Sequence, residues 1–183
     1  MADDVIALLE HDHREVEEMF EEFGQAVEPQ DCRAIADRII IELVRHTECE
    51  EQLVYPVMRE VLDDGETLVE HELSEHSAAE RIMKQLDGMD PGLPDFGVLM
   101  GELQAAIRAH IREEEGDAFP RFRQQVDQDK LETMAVAVQA LKKIVPTRPH
   151  PMALDRPPLN ALLGPGTGLL DRVRDVLTGR GKT

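Results

Sequence analysis

Residues 46–56 read H-T-E-C-E-E-Q-L-V-Y-P, and residues 110–120 read H-I-R-E-E-E-G-D-A-F-P. The shared pattern is H-x3-E-E-x3-aromatic-P. Each copy has a histidine upstream at nearly the same interval: His13 to His46 is 33 positions and His76 to His110 is 34. The chain therefore carries a duplicated unit of two segments. On a helix, positions i and i+4 lie about 40° apart on one face. His46 with Glu50, and His110 with Glu114, then each present a nitrogen and a carboxylate side by side.

Around these residues the apolar positions recur at helical spacing. A first helix is expected over about 3–23, with stripe Val5, Leu9, His13, Val16, Phe20 and Phe23, capped by Asp3 or Asp4. Residues 24–30 break the chain. A second helix is expected over about 31–55, with Ile35, Ile39, Leu43, His46, Glu50 and Leu53; Pro56 breaks or kinks it. After a turn at 63–65, a third runs to about 86 through Val69, Leu73, His76, Ala79, Met83 and Leu86. The loop 88–94 leads to a fourth over about 95–119, with Phe96, Leu99, Leu103, Ala106, His110 and Glu114. Pro120 stops or kinks that one. A fifth, over about 127–145, carries Leu131, Met134, Val138, Leu141 and Val145. The expected fold is all-α: an up-down-up-down four-helix bundle with a fifth helix over 1–145. Residues 146–183 form a Pro/Gly-rich extended tail, with amphipathic spacing at 169–177.

Counted from the expected helix ends, the four histidines reach a similar height in such a bundle, within about one turn. All four, with Glu50 and Glu114, fall on apolar stripes. Burying ionisable groups costs several kcal/mol unless they are paired or bound to metal. Six such residues converging on one core ask for a common partner, a metal; a self-satisfied polar network is the alternative. Six inward ligands are too many for one tetrahedral site. Mixed imidazole and carboxylate ligation suits iron or manganese better than a closed structural zinc site. Glu51 and Glu115 are placed to support the ligands, and Glu72, four before His76, is a ligand or a hydrogen-bond partner. His11 and His71 fall on polar faces. Tyr55 lies about 140° from Glu50 on an ideal helix, yet a widened turn before Pro56 would swing its phenol inward, as a ligand or as core packing.

In combination, H-D-H-R at 11–14, the 46–56 stretch, S-E-H at 74–76 and the 110–120 stretch resemble the hemerythrin-like, HHE cation-binding family over about 3–123. The resemblance implies a non-heme site of two iron ions, oxo- or hydroxo-bridged, with bridging carboxylates. It assigns ligand roles to His13, His46, Glu50, His76, His110 and Glu114, and keeps Tyr55 a candidate because that position is aromatic or histidine in many relatives. It implies chemistry with dioxygen, peroxide, nitric oxide or iron itself. Two departures argue against reversible oxygen carriage. The third helix offers Glu72 where oxygen-carrying hemerythrin has a second histidine, and Glu115 stands beside Glu114 where that pattern has one carboxylate five after the last histidine. Paired E-x-x-H motifs on two helices, as in ferritin-like proteins, are excluded, since Glu10 to His13 is unmatched.

A net charge of −18 disfavours nucleic acid and anionic membrane surfaces and attracts cations. No apolar run approaches the roughly 18 residues of a membrane span. The N-terminus lacks the pattern of a signal peptide, so the cytoplasm is expected. Cys32 and Cys49 fall on one helix about 25 Å apart, as free thiols suited to a reducing compartment. The expected function is a di-iron protein that binds, senses or detoxifies a small diatomic or peroxide ligand, or handles iron. A catalase-like or nitric oxide-reducing enzyme, and a structural bundle acting through its tail, are the alternatives. The chain is expected to be a monomer or dimer.

Overall fold

Asp4 starts the first helix: its carboxylate accepts a hydrogen bond from the Ala7 N–H at 2.9 Å. The structure is a computed structural model that describes residues 4–145. The tail over 146–183, with the segment 169–177, lies outside the described residues. Helix α1 spans Val5–Gln25 and α2 Pro29–Cys49. Proline at the first position of α2 has no use for the N–H it lacks, so this helix starts earlier than its apolar pattern suggests.

Neither Pro56 nor Pro120 ends its helix. A π turn at Glu50–Val54 leads from α2 into α3 (Tyr55–Val61). A second π turn at Glu114–Ala118 leads from α5 (Pro94–Glu113) into α6 (Phe119–Gln125). The Tyr55 and Phe119 N–H groups reach back five residues, to the carbonyls of Glu50 and Glu114. That widening absorbs the donor that each following proline cannot supply, and the rod continues.

Helix α4 (Gly65–Leu86) follows a tight turn, and its first residue has no room for a side chain. A Cβ on Gly65 would lie 2.4 Å from the Met58 carbonyl oxygen. Gly88, at φ +80°, terminates α4 in the left-handed conformation glycine tolerates. Helix α7 (Gln128–Leu141) is capped by Asp127, which accepts from the Lys130 N–H at 2.8 Å.

These segments make five rods. α1 packs on α2, α4 on α5 and α3 on α4, as an up-and-down bundle requires, and α7 packs on α1 and the first π turn. No strand occurs among the described residues. Two apolar clusters fill the bundle. One holds Leu9, Leu53, Met58, Phe122 and the buried face of α7. The other holds Val16, Phe20, Ile39, Met83, Phe96 and Leu103. Each long helix passes from one cluster to the other at its histidine.

Five expected core positions are only partly covered, among them Phe23 at the end of α1 and Val145 beyond α7. On α4 the buried residue is Glu72, and Leu73 is only partly covered. On α5 Met100 and Ile107 are buried where Leu99 and Ala106 were expected. That helix is apolar on more than one side, so its pattern admits two registers. The packing of α4 and α1 selects one.

Candidate metal centre

Between the two clusters lies a polar layer. Among the described residues, it contains every buried polar one except Asp4: Asp12, His13, His46, Glu50, Glu72, His76, His110 and Glu114. The four histidines form two pairs. His13 and His46 bring their Nε2 atoms to 3.1 Å, and His76 and His110 bring theirs to 3.2 Å.

Each Nδ1 faces a carboxylate instead. Glu115 lies 2.9 Å from His13, Asp12 3.3 Å from His46, Glu51 3.0 Å from His76 and Glu75 2.9 Å from His110. A carboxylate on Nδ1 selects the tautomer protonated there and leaves the Nε2 lone pair facing the interior. The π turns brace the site crosswise. Glu51, in the first hairpin's turn, holds the second hairpin's His76, and Glu115 does the reverse for His13.

Glu50 and Glu114 stand between the pairs. Glu50 Oε2 is 3.2 Å from His46 Nε2 and 3.4 Å from His76 Nε2. Glu114 Oε2 is 3.3 Å from His110 Nε2 and 3.4 Å from His13 Nε2. Both glutamates are fully buried. Glu50 Oε1, Glu50 Oε2 and Glu114 Oε2 have no partner with hydrogen-bond geometry. Buried carboxylate oxygens left so, beside converging imidazole lone pairs, fit cations bridged by two carboxylates.

The π turn places Tyr55 inside the layer. Its hydroxyl donates to Glu114 Oε1 at 3.1 Å and lies 3.1 Å from His76 Nε2. At the matching place in the second copy, Phe119 stacks on His13 with ring centroids 5.9 Å apart. Glu72 is buried against the second pair, with its Oε2 3.0 Å from His110 Nδ1. His11 and His71 are exposed.

The layer holds positive charge strongly. Burial opposes charge on His46, but Glu50 and Asp12 outweigh it and raise its pKa to about 10. His110 is held well above the usual histidine value, against burial, chiefly by Glu114, and His76 is raised by Glu50 and Glu51. Burial pushes Glu114 up, yet His110 and His13 bring it well below the ordinary range. Burial, then Glu114 and Glu50, drive the Tyr55 phenol well above its usual value. Metal cations replace protons in such a layer.

All seven residues singled out from the sequence converge here. Asp12, Glu75 and Lys142 were missed. Lys142, the residue directly after α7, pairs with Asp12 at 2.6 Å, so the end of the fifth rod is tied to His46 through one carboxylate. The signal was an acidic residue directly before each upstream histidine, Asp12 before His13 and Glu75 before His76.

A profile of the Hemerythrin HHE cation binding domain matches residues 4–122. An uncharacterized hemerythrin-like protein of Schizosaccharomyces pombe is 26% identical over 167 residues, covering 91% of this chain and 82% of the relative. A protein of Nostoc sp. named DNA nickase is 28% identical over 137 residues, 75% of this chain but 38% of the relative. Among solved structures, a hemerythrin HHE cation binding domain-containing protein from Mycobacterium kansasii matches with a TM-score of 0.67 at 19% identity, covering 77% of this chain and 86% of that one.

Proposed function

We propose, from the premise that this chain belongs to the hemerythrin HHE cation-binding family, that the buried layer holds two irons and serves a small oxidant: dioxygen, peroxide or nitric oxide. One observation carries the reading: two imidazole pairs face two buried carboxylates, three of whose four oxygens lack hydrogen-bond partners. His13 and His46 would hold one ion and His76 and His110 the other, with Glu50 and Glu114 shared. The mixed imidazole and carboxylate donors would suit iron better than a closed tetrahedral zinc site. Iron bound there supplies electrons and exchangeable positions for a small ligand.

The protein's own groups set the conditions. The two apolar clusters close the layer above and below and keep bulk water out. Asp12, Glu51, Glu75 and Glu115 orient the imidazoles and keep the Nε2 lone pairs free. Tyr55 holds a buried proton beside Glu114. That proton favours peroxide disproportionation as the second reading, because reductive cleavage of peroxide consumes protons. With one histidine and Glu72 on α4, reversible oxygen carriage is not expected.

We expect about two irons per chain after growth in iron-rich medium, by elemental analysis. One zinc per chain, indifferent to iron supply, would overturn the reading. Oxygen evolution from peroxide separates turnover from binding, and Tyr55→Phe should depress it. Nicking of DNA is not carried over from the Nostoc relative, since a net charge of −18 opposes docking on a phosphate backbone.

A further inference from the structure

The two hairpins differ on the flank outside the centre. Aligned on the histidines, Leu8 corresponds to His71, Leu9 to Glu72, Asp12 to Glu75 and Cys49 to Glu113. On the first hairpin this flank is sealed. Leu8, Leu9 and Cys49 belong to the apolar cluster that includes the inner face of α7, and Lys142 occupies Asp12. No described rod covers the second hairpin in the same way, and the matching positions are polar. His71 and Glu113 are 53% and 52% exposed, with His71 Nε2 2.9 Å from Glu113 Oε2 and 3.8 Å from Glu75 Oε1. One ligand atom from each of the three lies within 4.8 Å of the others.

Inward of this cluster, acceptors outnumber donors. Glu75 and Glu72 both converge on His110 Nδ1, at 2.9 and 3.0 Å, and one N–H serves one of them well. Glu72 is 1% exposed, and neither of its oxygens has a hydrogen-bond partner. A carboxylate at that depth costs several kcal/mol unless a proton, the His110 imidazolium or a metal cation neutralises it. From Glu72 the line continues to His110 and Glu114, whose ligand atoms also lie within 4.8 Å of one another.

We propose that His71, Glu75 and Glu113 form an outer site for a divalent cation, Fe2+ in use, through which the buried centre is loaded by way of Glu72. One imidazole and two carboxylates match the donor preference of Fe2+ and Mn2+. Glu75 is the shared element, facing His71 on one side and His110 on the other. This inference rests on the buried layer being the iron centre.

The test uses the full chain. Apo protein is mixed anaerobically with Fe2+, and unbound Fe2+ is trapped at intervals with a chromogenic chelator. His71→Lys keeps the ion pair with Glu113 but offers no ligand at neutral pH, and Glu113→Gln removes a carboxylate. Both residues are exposed, and unchanged helical circular dichroism verifies the fold. Loading several-fold slower in both variants, to the wild-type final iron content, is expected. Loading at the wild-type rate would overturn the proposal, as would a lower final content, which would place the pair in holding iron instead. Separately, iron-loaded wild type should bind one additional Mn2+ per chain by electron paramagnetic resonance, and both variants should lose it. No additional Mn2+ would overturn the outer site. A wild type that takes up no iron at all fails the buried-centre reading instead, and the outer site is then read by difference, as one Mn2+ bound by wild type and lost in both variants.

Discussion

The hairpin α1–α3 and the hairpin α4–α6 are two versions of one unit. His46, Glu50 and Glu51 correspond to His110, Glu114 and Glu115, and both copies use a π turn before a proline. What differs is the surroundings. The first hairpin is covered by α7 and offers apolar residues to it; the second keeps its flank polar and adds Glu72 to the layer. Its histidine pair also receives the Tyr55 hydroxyl, where the first pair meets Phe119. Duplication supplies a symmetric set of donors, and divergence around it makes the two positions chemically unlike.

The sharpest way to break the symmetry of the donors is to remove one from each copy. His46→Ala and His110→Ala should each cost at least one of the two expected irons per chain by elemental analysis. Each also leaves a buried glutamate without its nearest cation, at a cost of about 3–5 kcal/mol in the apo protein. If one variant kept its full iron, the equivalence of the pairs would fail.

Next in size are the carboxylates behind the imidazoles. Asp12→Asn and Glu75→Gln should each weaken iron binding about 10–100-fold, measured by chelator competition. The Asp12 effect should be the larger, because the same carboxylate also pairs with Lys142 at the end of α7. Equal effects would mean that α7 contributes nothing to the first position.

Tyr55→Phe gives the first copy the residue that the second has. If the phenolate binds ferric iron, the iron-loaded protein shows a broad visible charge-transfer band. The substitution should erase that band while iron stays bound. An unchanged spectrum would return Tyr55 to packing and hydrogen bonding alone.

The repeat, the four histidines and the two glutamates were legible because burial forces ionisable residues on an apolar stripe to have a partner, whatever the local geometry. The continuation of the rods past Pro56 and Pro120 was not. A proline is costly in an ideal α-helix, and only the five-residue reach of the Tyr55 and Phe119 N–H groups removes that cost. Glu72 was expected as a ligand or a hydrogen-bond partner and Leu73 as core, and of the two, transfer energies favour leucine inside. The layer reverses that order through the charge it gathers. Lys142 was invisible for a different reason: its partner Asp12 lies 130 positions away, and no local period reports such a contact.

The smallest effect concerns how the two hairpins begin. Asp4 caps α1 through the Ala7 N–H and pairs with Arg123 of α6. Asp64, before α4, makes no such cap bond and pairs with Arg121 on the surface. Burial raises the Asp4 carboxyl, but the Ala7 N–H and Arg123 outweigh it, and the net shift is downward. A carboxyl lowered in the folded state adds stability above the ordinary carboxylate range, and that stability is lost as pH falls through the lowered value. Asp4→Ala should therefore cost about 1 kcal/mol at neutral pH, a drop in Tm of about 2–4 °C for a chain of this size. The gap should close towards strongly acid pH in thermal melts of the apo protein. Asp64→Ala should move Tm less than Asp4→Ala, because an exposed pair in water is weakly coupled and no helix N–H depends on it. A larger drop for Asp64→Ala would mean that the start of α4, with Gly65 pressed against Met58, limits the fold more than the start of α1.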